Sequence, residues 1–410
     1  MSESEKDCLV EEKEADTYIR RSTKKRKKRK TAIIILSVVV ALLLLLFAVA
    51  WGVFKHYYDM IDYNDLNGEW SGAEIEDETE NGESIDDIDS SLIASDDEKD
   101  KYLGQVESVG SGNFEIEVKK LGGSLGLVER DYVCDYISYK DDVINILLIG
   151  LDSKVNQNAG RSDVMMVVSI CPSEKKIVLT SLLRDVWVMI PGWGANRLNA
   201  AYAFGGPSLL VETIEKNFGL RIDRYATSNF FAFVEVADYV GKLNVYLNEA
   251  ELSVINYHIY GNNNILYKGN SKEYNKVKDA LEIKGAGYYE LNGIQALAYA
   301  RIRNIDSDFG RTNRQRVIMS ALFDEIRKMS PMEWNGVLEK ILPRITTNLS
   351  ESDILKIMLN VGAYVKYDMT SISMPPPDNY RYMNMDGRAV LGVDQEFIKE
   401  YLKEQIYGGQ

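Results

Sequence analysis

Residues 143–150 read VINILLIG, a near-continuous apolar run closed by Gly150. A run this short, bounded by a glycine, marks a strand buried on both faces. Residues 164–170 and 176–183 read as two more strands, separated by the turn Cys171-Pro172-Ser173. Gly205-Gly206-Pro207 then opens a helix, with Pro207 at a first-turn position, Leu210, Ile214 and Phe218 on one face, and Gly219 as its stop. A strand over 225–230 and a short helix over 233–240 follow. Residues 249–286 are polar and asparagine-rich, an excursion or a partly helical insertion. Asn292 with Gln295 three residues on forms a capping-box pattern that starts a helix. Helices over 311–329 and 352–365 and a strand over 371–374 complete the pattern. Strands alternating with helices imply a layered α/β domain.

Upstream of residue 143 the composition changes completely. Thr31 to Phe54 carries no charge, which at about 1.5 Å per residue is long enough to cross a bilayer core of about 30 Å. No small-residue cleavage site follows it, so it reads as an anchor rather than a signal peptide. Lys24 to Lys30 is an unbroken basic run directly before it, which places residues 1–30 in the cytoplasm and everything after residue 54 outside. Residues 62–100 hold sixteen acids against Lys99 alone and few aromatics, so 55–100 is read as a solvated stalk. Residues 101–142 form an accessory or linker segment, and 143–405 the outer domain. The net charge of −14 therefore belongs mostly to the stalk, and the outer domain is near neutral. It lacks the basic footprint of a nucleic-acid binder. With only two histidines, His56 and His258, neither a Ser-His-Asp triad nor a zinc site is favoured. Cys134 and Cys171 both follow the anchor and are read as small buried hydrophobes rather than a disulfide.

Four clusters carry chemistry. Asp152 follows the first buried strand, in Gly150-Leu151-Asp152-Ser153, at the end where α/β sheets usually receive ligands. Asp163 lies in Arg161-Ser162-Asp163, just before the next strand. Two carboxylates converging from separate strand ends suit Mg²⁺, which takes one or two protein carboxylates plus phosphate oxygens and water; the competing reading is that each caps a turn. Arg184 and Asp185 stand at a third strand end. The fourth cluster is Arg301, Arg303, Arg311, Arg314 and Arg316, beside Asp306 and Asp308. Arg301 and Arg303 point apart if the preceding helix continues and together if the chain becomes extended. Arg311, Arg314 and Gln315 share a helix face. Clustered guanidiniums make planar, bidentate contacts to phosphate, so the set points to a polyanionic ligand.

These residues lie in six ordered blocks: NILLIGLDSK, AGRSDVMMVVSI, VLTSLLRDVWVMIPG, RLNAAYAFGGPSLLVETIE, LNGIQALAYARIRN and DSDFGRTNRQR. Together they closely resemble the LytR-CpsA-Psr wall-polymer ligases over roughly residues 143–320. The resemblance implies an α/β/α domain with a central mixed sheet, preceded by one transmembrane helix, at the surface of a Gram-positive cell. It implies transfer of a polyprenyl-pyrophosphate-linked glycopolymer (teichoic acid, capsule or similar) to peptidoglycan at the N-acetylmuramic acid 6-hydroxyl, with pyrophosphate hydrolysis as a side reaction. It makes Asp152 and Asp163 the ligands of Mg²⁺, with Mn²⁺ as an alternative. It makes Arg161, Arg184, Arg301, Arg303, Arg311 and Gln315 the pyrophosphate contacts, Arg161, Arg301 and Arg311 among the catalytic groups, and Asp308 the base for the attacking hydroxyl. Lys154 stands where the family commonly has Arg, and Leu183 where it often has Pro. The rival expectation is a non-catalytic polyprenyl-phosphate-binding scaffold of a polymer-export assembly. Regulation of transcription is disfavoured, because the candidate chemistry lies outside the membrane and no DNA-binding motif is apparent.

Overall fold

The computed structural model describes residues 51–52, 54–64, 125, 132, 134–138, 140–151, 162–266, 282–303, 305–385 and 388–408. Most of the expected anchor, the stalk, and the candidate residues Asp152 and Arg161 lie outside the described residues. Among the described residues, no helix is long and apolar enough to cross a membrane. Residues 51–52 and 54–58 are helical and belong to a compact unit of their own ending at Asp59.

The apolar run is strand β2 (Ile144–Leu151), preceded by the two-residue β1 (Asp62–Tyr63). It pairs antiparallel with β3 (Ser162–Cys171), which pairs antiparallel with β4 (Lys176–Leu182). The hairpin β5 (Trp187–Ile190) and β6 (Gly194–Arg197) stands apart from the sheet and leads into helix α1 (Leu198–Phe218). Then come β7 (Arg224–Asn229), α2 (Phe230–Val240), the ribbon strand β8 (Leu243–Leu247), α3 (Glu249–Leu266), its partner β9 (Gly287–Leu291) and α4 (Gly293–Ala300). The chain ends with α5 (Asp308–Lys328), α6 (Pro331–Ile341), β10 (Ile345–Thr347), α7 (Glu351–Tyr364), β11 (Asp368–Met374), the hairpin β12 (Arg381–Met385) and β13 (Arg388–Gly392), and α8 (Gln395–Leu402).

The central sheet has the order β1-β10-β7-β2-β3-β4-β11. It is mixed: β7 is parallel to β2 and β11 to β4, whereas β3 is antiparallel to both its neighbours. Both faces are covered, as the apolar run requires. Leu147, Ile149, Met165 and Val167 point to one side, where Leu210, Ile214 and Phe218 of α1 meet them. Ile144, Met166, Val168 and Leu179 point to the other, against Met319 and Phe323 of α5 and Ile357 of α7. Each such Leu, Ile or Phe, fully buried, contributes about 1.5–3 kcal/mol. The one polar member of the run, Asn145, is accommodated because its side-chain amide donates to the Arg221 carbonyl (2.8 Å) and to the Tyr407 hydroxyl (3.0 Å).

Helix α1 begins earlier than the glycine–proline signal predicts, but that signal marks a real break. Gly205 and Gly206 leave helical geometry and the helix resumes at Pro207. Gly219 ends it in the left-handed region (φ 63°), where a Cβ would also sit 2.7 Å from the Asp135 carbonyl oxygen. Residues from the expected linker pack here: Tyr132 and Tyr136 donate to the buried Glu215 carboxylate at 2.7 and 3.0 Å. Cys134 and Cys171 are unpaired, the latter buried.

A second core lies between α2, α3, α4, α5 and the β8–β9 ribbon, around Leu243, Ile255, Leu297 and Ile318. The polar excursion is therefore helical over Glu249–Leu266. The capping box that opens α4 is fully formed: Asn292 accepts from the Gln295 amide at 2.9 Å, and Gln295 accepts from the Asn292 amide at 3.0 Å. Asn292→Ala is expected to lower unfolding free energy by about 1 kcal/mol, read from the urea midpoint at unchanged m-value.

Candidate polyanion site

The carboxyl ends of β2, β7 and β4 and the start of β3 lie along one edge of the sheet. That edge gathers the candidate residues, as ligand placement at strand ends predicts. Asp163, second residue of β3, accepts from Arg184 Nη1 at 3.2 Å and from Arg303 Nη2 at 3.0 Å. Arg184, just past β4, continues the chain of charges: its Nε lies 3.3 Å from Asp185 and 3.6 Å from Asp308. Asp308, first residue of α5, pairs with Arg311 one turn on at 2.6 Å. Asp185 in turn takes Arg197 Nη1 at 2.9 Å.

The described cluster thus sets Arg184, Arg197, Arg303 and Arg311 against Asp163, Asp185 and Asp308, an excess of positive charge. Burial opposes ionisation of Asp163, yet Arg184, Arg303 and Arg311 outweigh it and hold its carboxyl below the usual carboxylate range. Asp308 goes the other way. Burial dominates, and the neighbouring Asp185 adds to it, so its carboxyl is pushed up in spite of Arg311 and Arg184. Two carboxylates on one arginine set therefore differ in proton affinity, the pattern that separates a structural anion from an acid or base. Arg311 is only 3% exposed, and among the described residues its Nε and Nη1 have no hydrogen-bond partner; the Oδ2 of Asp308 has none there either. Buried donors left unmatched are costly, and an anionic ligand would satisfy them.

Helix α4 stops at Ala300, so Arg301 and Arg303 flank the buried Ile302 in non-helical chain rather than pointing apart on a helix. They part company all the same. Arg303 joins Asp163, whereas Arg301 donates to the Asn262 side-chain oxygen at 3.0 Å and stacks on the Phe230 ring at 4.5 Å. Arg314 is buried but committed elsewhere: both its terminal nitrogens bond Asp306 (2.7 and 2.8 Å), and Nη2 also reaches the Ile302 carbonyl. Gln315 is buried one turn beyond Arg311. Asp185, named with Arg184 as a cluster at a strand end, takes its place there; Arg197, Asn262 and Phe230 do not stand out in the sequence as site residues, and the block beginning at Arg197 is the one available signal. His258, on α3, titrates at about 4, because burial and the nearby Arg301, Arg303 and Arg314 all disfavour its cation. Among the described residues no group of three or more His, Cys, Asp or Glu gathers as a metal site.

A mixed sheet whose carboxyl edge carries guanidiniums threaded through aspartates is an α/β arrangement with the chemistry to accept a polyanion. The chain belongs to the LytR_cpsA_psr family, whose model matches residues 119–406. The regulatory protein MsrR of Staphylococcus aureus (strain COL) is 31% identical over 275 residues, 64% of this chain and 76% of that protein. The polyisoprenyl-teichoic acid–peptidoglycan teichoic acid transferase TagU of Enterococcus faecalis (strain ATCC 700802 / V583) is 28% identical over 299 residues, 70% of this chain and 88% of that protein. Among solved structures, TagT bound to LIIa-WTA has the same fold, with a TM-score of 0.51 and 24% identity, covering 67% of this chain and 97% of that one.

Proposed function

We propose that the domain transfers a polyprenyl-pyrophosphate-linked glycopolymer to peptidoglycan, at the N-acetylmuramic acid 6-hydroxyl, and releases polyprenyl phosphate. The observation that carries this reading is the largely enclosed chain Arg303–Asp163–Arg184–Asp308–Arg311, with excess positive charge and, on the buried Arg311, donors that no described residue satisfies. Membership of the family and the transferase name of the Enterococcus relative support it. In the reaction, the acceptor oxygen forms a bond to the polymer-linked phosphorus, the bond from that phosphorus to the bridging oxygen breaks, and polyprenyl phosphate leaves with the electron pair. Asp308 takes the hydroxyl proton. Arg184, Arg303 and Arg311, with Arg161, Arg301 and Gln315, hold the phosphate oxygens and neutralise the charge that grows on them.

Asp152 and Asp163 would hold Mg²⁺ or Mn²⁺. Asp163 fits a hard cation: it is held ionised, and each of its oxygens accepts one guanidinium, leaving a lone pair on each. When bound, the ion would act as a Lewis acid on the phosphate oxygens. The uncharged run 31–54 and its basic flank support a single-pass anchor with the domain outside a Gram-positive cell, close to the leaflet that carries the donor. The test is the full chain in vesicles with a lipid-linked polymer and uncross-linked peptidoglycan. Linked product and polyprenyl phosphate are expected in equal amounts. Polyprenyl phosphate without linked product would leave only a hydrolase, and donor binding without either product would leave a scaffold.

A further inference from the structure

The β5–β6 hairpin rises from the site and ends in a feature that the phosphate chemistry does not use. Its base is at the cluster, where Arg197 binds Asp185 and pairs across the hairpin with Trp187. Its tip is Ile190-Pro191-Gly192-Trp193-Gly194. The Trp193 amide donates to the Ile190 carbonyl at 3.0 Å, with Pro191 and Gly192 (φ 75°) between them, the signature of a type II turn. Three residue steps separate the Trp187–Arg197 pair from the Ile190–Gly194 pair, so the tip stands roughly 10 Å above the arginine.

This tip is stiff. Met189 donates to Asn217 at 3.0 Å and accepts from it at 2.8 Å, which fastens the hairpin to α1. Trp193 is nonetheless 59% exposed. One face of its indole is stacked on Phe204 of α1, with centroids 4.5 Å apart and planes 14° apart. Stacking on one side leaves the other ring face open. Gly192 and Gly194 flank it and carry no side chain that could cover the ring. Residues 186–196 carry no charge. A rigid, uncharged shelf with a single open aromatic face matches the apolar face of a pyranose ring. Insertion into a bilayer would not need one ring face to be covered in this way.

We infer that Trp193, braced by Phe204, is a docking platform for a sugar ring of the peptidoglycan acceptor strand, a short distance along the strand from the hydroxyl that attacks. This rests on the transfer reading above. The donor already has a handle, its pyrophosphate in the arginine cluster, whereas the sugar backbone of the acceptor strand carries no charge of its own and needs an uncharged surface to rest on. Flat aromatic side chains supply such contact area with little rotamer entropy to lose.

The test uses the full chain in detergent micelles, with soluble uncross-linked peptidoglycan strands as the probe. Trp193→Ala is expected to weaken strand binding about tenfold, the size of one lost stacking contact, while Trp193→Phe stays within about threefold. In the transfer assay, Trp193→Ala should raise the KM for the acceptor by a similar factor and leave the donor KM and the kcat at saturating acceptor unchanged. Equal strand binding by wild type and Trp193→Ala would overturn the proposal. So would a rise confined to the donor KM, or quenching of Trp193 by brominated lipid in vesicles. If wild type makes no linked product, the transfer reading fails, but the strand-binding comparison still decides the platform.

Discussion

Replacing Asp163 with alanine is expected to lower polymer transfer by roughly 10²–10³-fold, the cost typical of removing one preorganised charge-stabilising group. The carboxylate does more than offer oxygens. It ties Arg184 to Arg303, with contacts of 3.2 and 3.0 Å, and Arg184 is the residue that reaches Asp308. Without it, two neighbouring guanidiniums repel each other and Arg311, so the arginines lose the geometry that phosphate requires. Removing one partner from these partly buried ion pairs also destabilises the fold, so the alanine variant needs a companion. Asp163→Asn keeps the shape and one acceptor oxygen but removes the charge. It should remain folded by urea titration and still lose most transfer. Binding of Mn²⁺, followed through loss of the free-ion paramagnetic resonance signal, separates the two roles of Asp163. If Asp163→Asn binds Mn²⁺ as wild type does, the metal assignment falls and Asp163 is a tether for arginines alone.

The sheet was legible because its central strands are buried on both faces and therefore apolar along their whole length. The expected limits of β2, β3 and β4 differ from the observed ones by one or two residues. The capping box at Asn292 was legible for an equally local reason, since two side chains three residues apart satisfy each other's backbone. What escaped were elements whose place is decided at long range. The β8–β9 ribbon joins Leu243–Leu247 to Gly287–Leu291 across a polar stretch of about forty residues, and although β8 alternates, five residues of alternation do not say which distant strand is the partner. The start of α1 escaped because the glycine–proline pair is a strong local signal, and it marks the interruption rather than the beginning.

The site divides along the same line. Asp163, Arg184, Arg303, Arg311 and Asp308 follow strand ends or a helix start, so position along the chain was enough to gather them. Asp152 and Arg161 lie outside the described residues. Partner choice within the arginine set was not legible. Asp306 and Asp308 are two residues apart, yet Asp306 takes Arg314 and Asp308 takes Arg311, because only the second pair lies on the helix that turns both toward Arg184. Arg197 reaches Asp185 only through the register of a hairpin turned at Pro191-Gly192, and no spacing rule relates residue 185 to residue 197. Arg301, a proposed phosphate contact, also bonds Asn262 and stacks on Phe230; the Asn262 contact depends on α3 being a helix, which the polar composition of 249–286 leaves open.

Asp308→Asn is expected to lower kcat by about 10²–10⁴-fold, the range for loss of a general base, without raising the KM for the donor. The two parameters move apart because the roles differ in charge. As a base, Asp308 must be ionised; as a neighbour of Arg311 at 2.6 Å, it offsets the positive charge that attracts the donor. Amide at this position removes the base and leaves the guanidiniums more attractive to pyrophosphate, so donor affinity should hold or improve. The pH profile adds a second check. Burial raises the Asp308 pKa above the ordinary carboxylate value of about 3.9, so wild-type kcat should fall as pH drops through that raised value. Asp163 cannot produce this limb, because its own pKa lies below the ordinary range and it stays ionised throughout. Asp308→Asn should therefore lose the acid limb along with the rate. Were Asp308 only a brace for Arg311, its asparagine variant would show a raised donor KM, a modest change in kcat and an unchanged acid limb, and the base would have to be sought elsewhere at the carboxyl edge of the sheet.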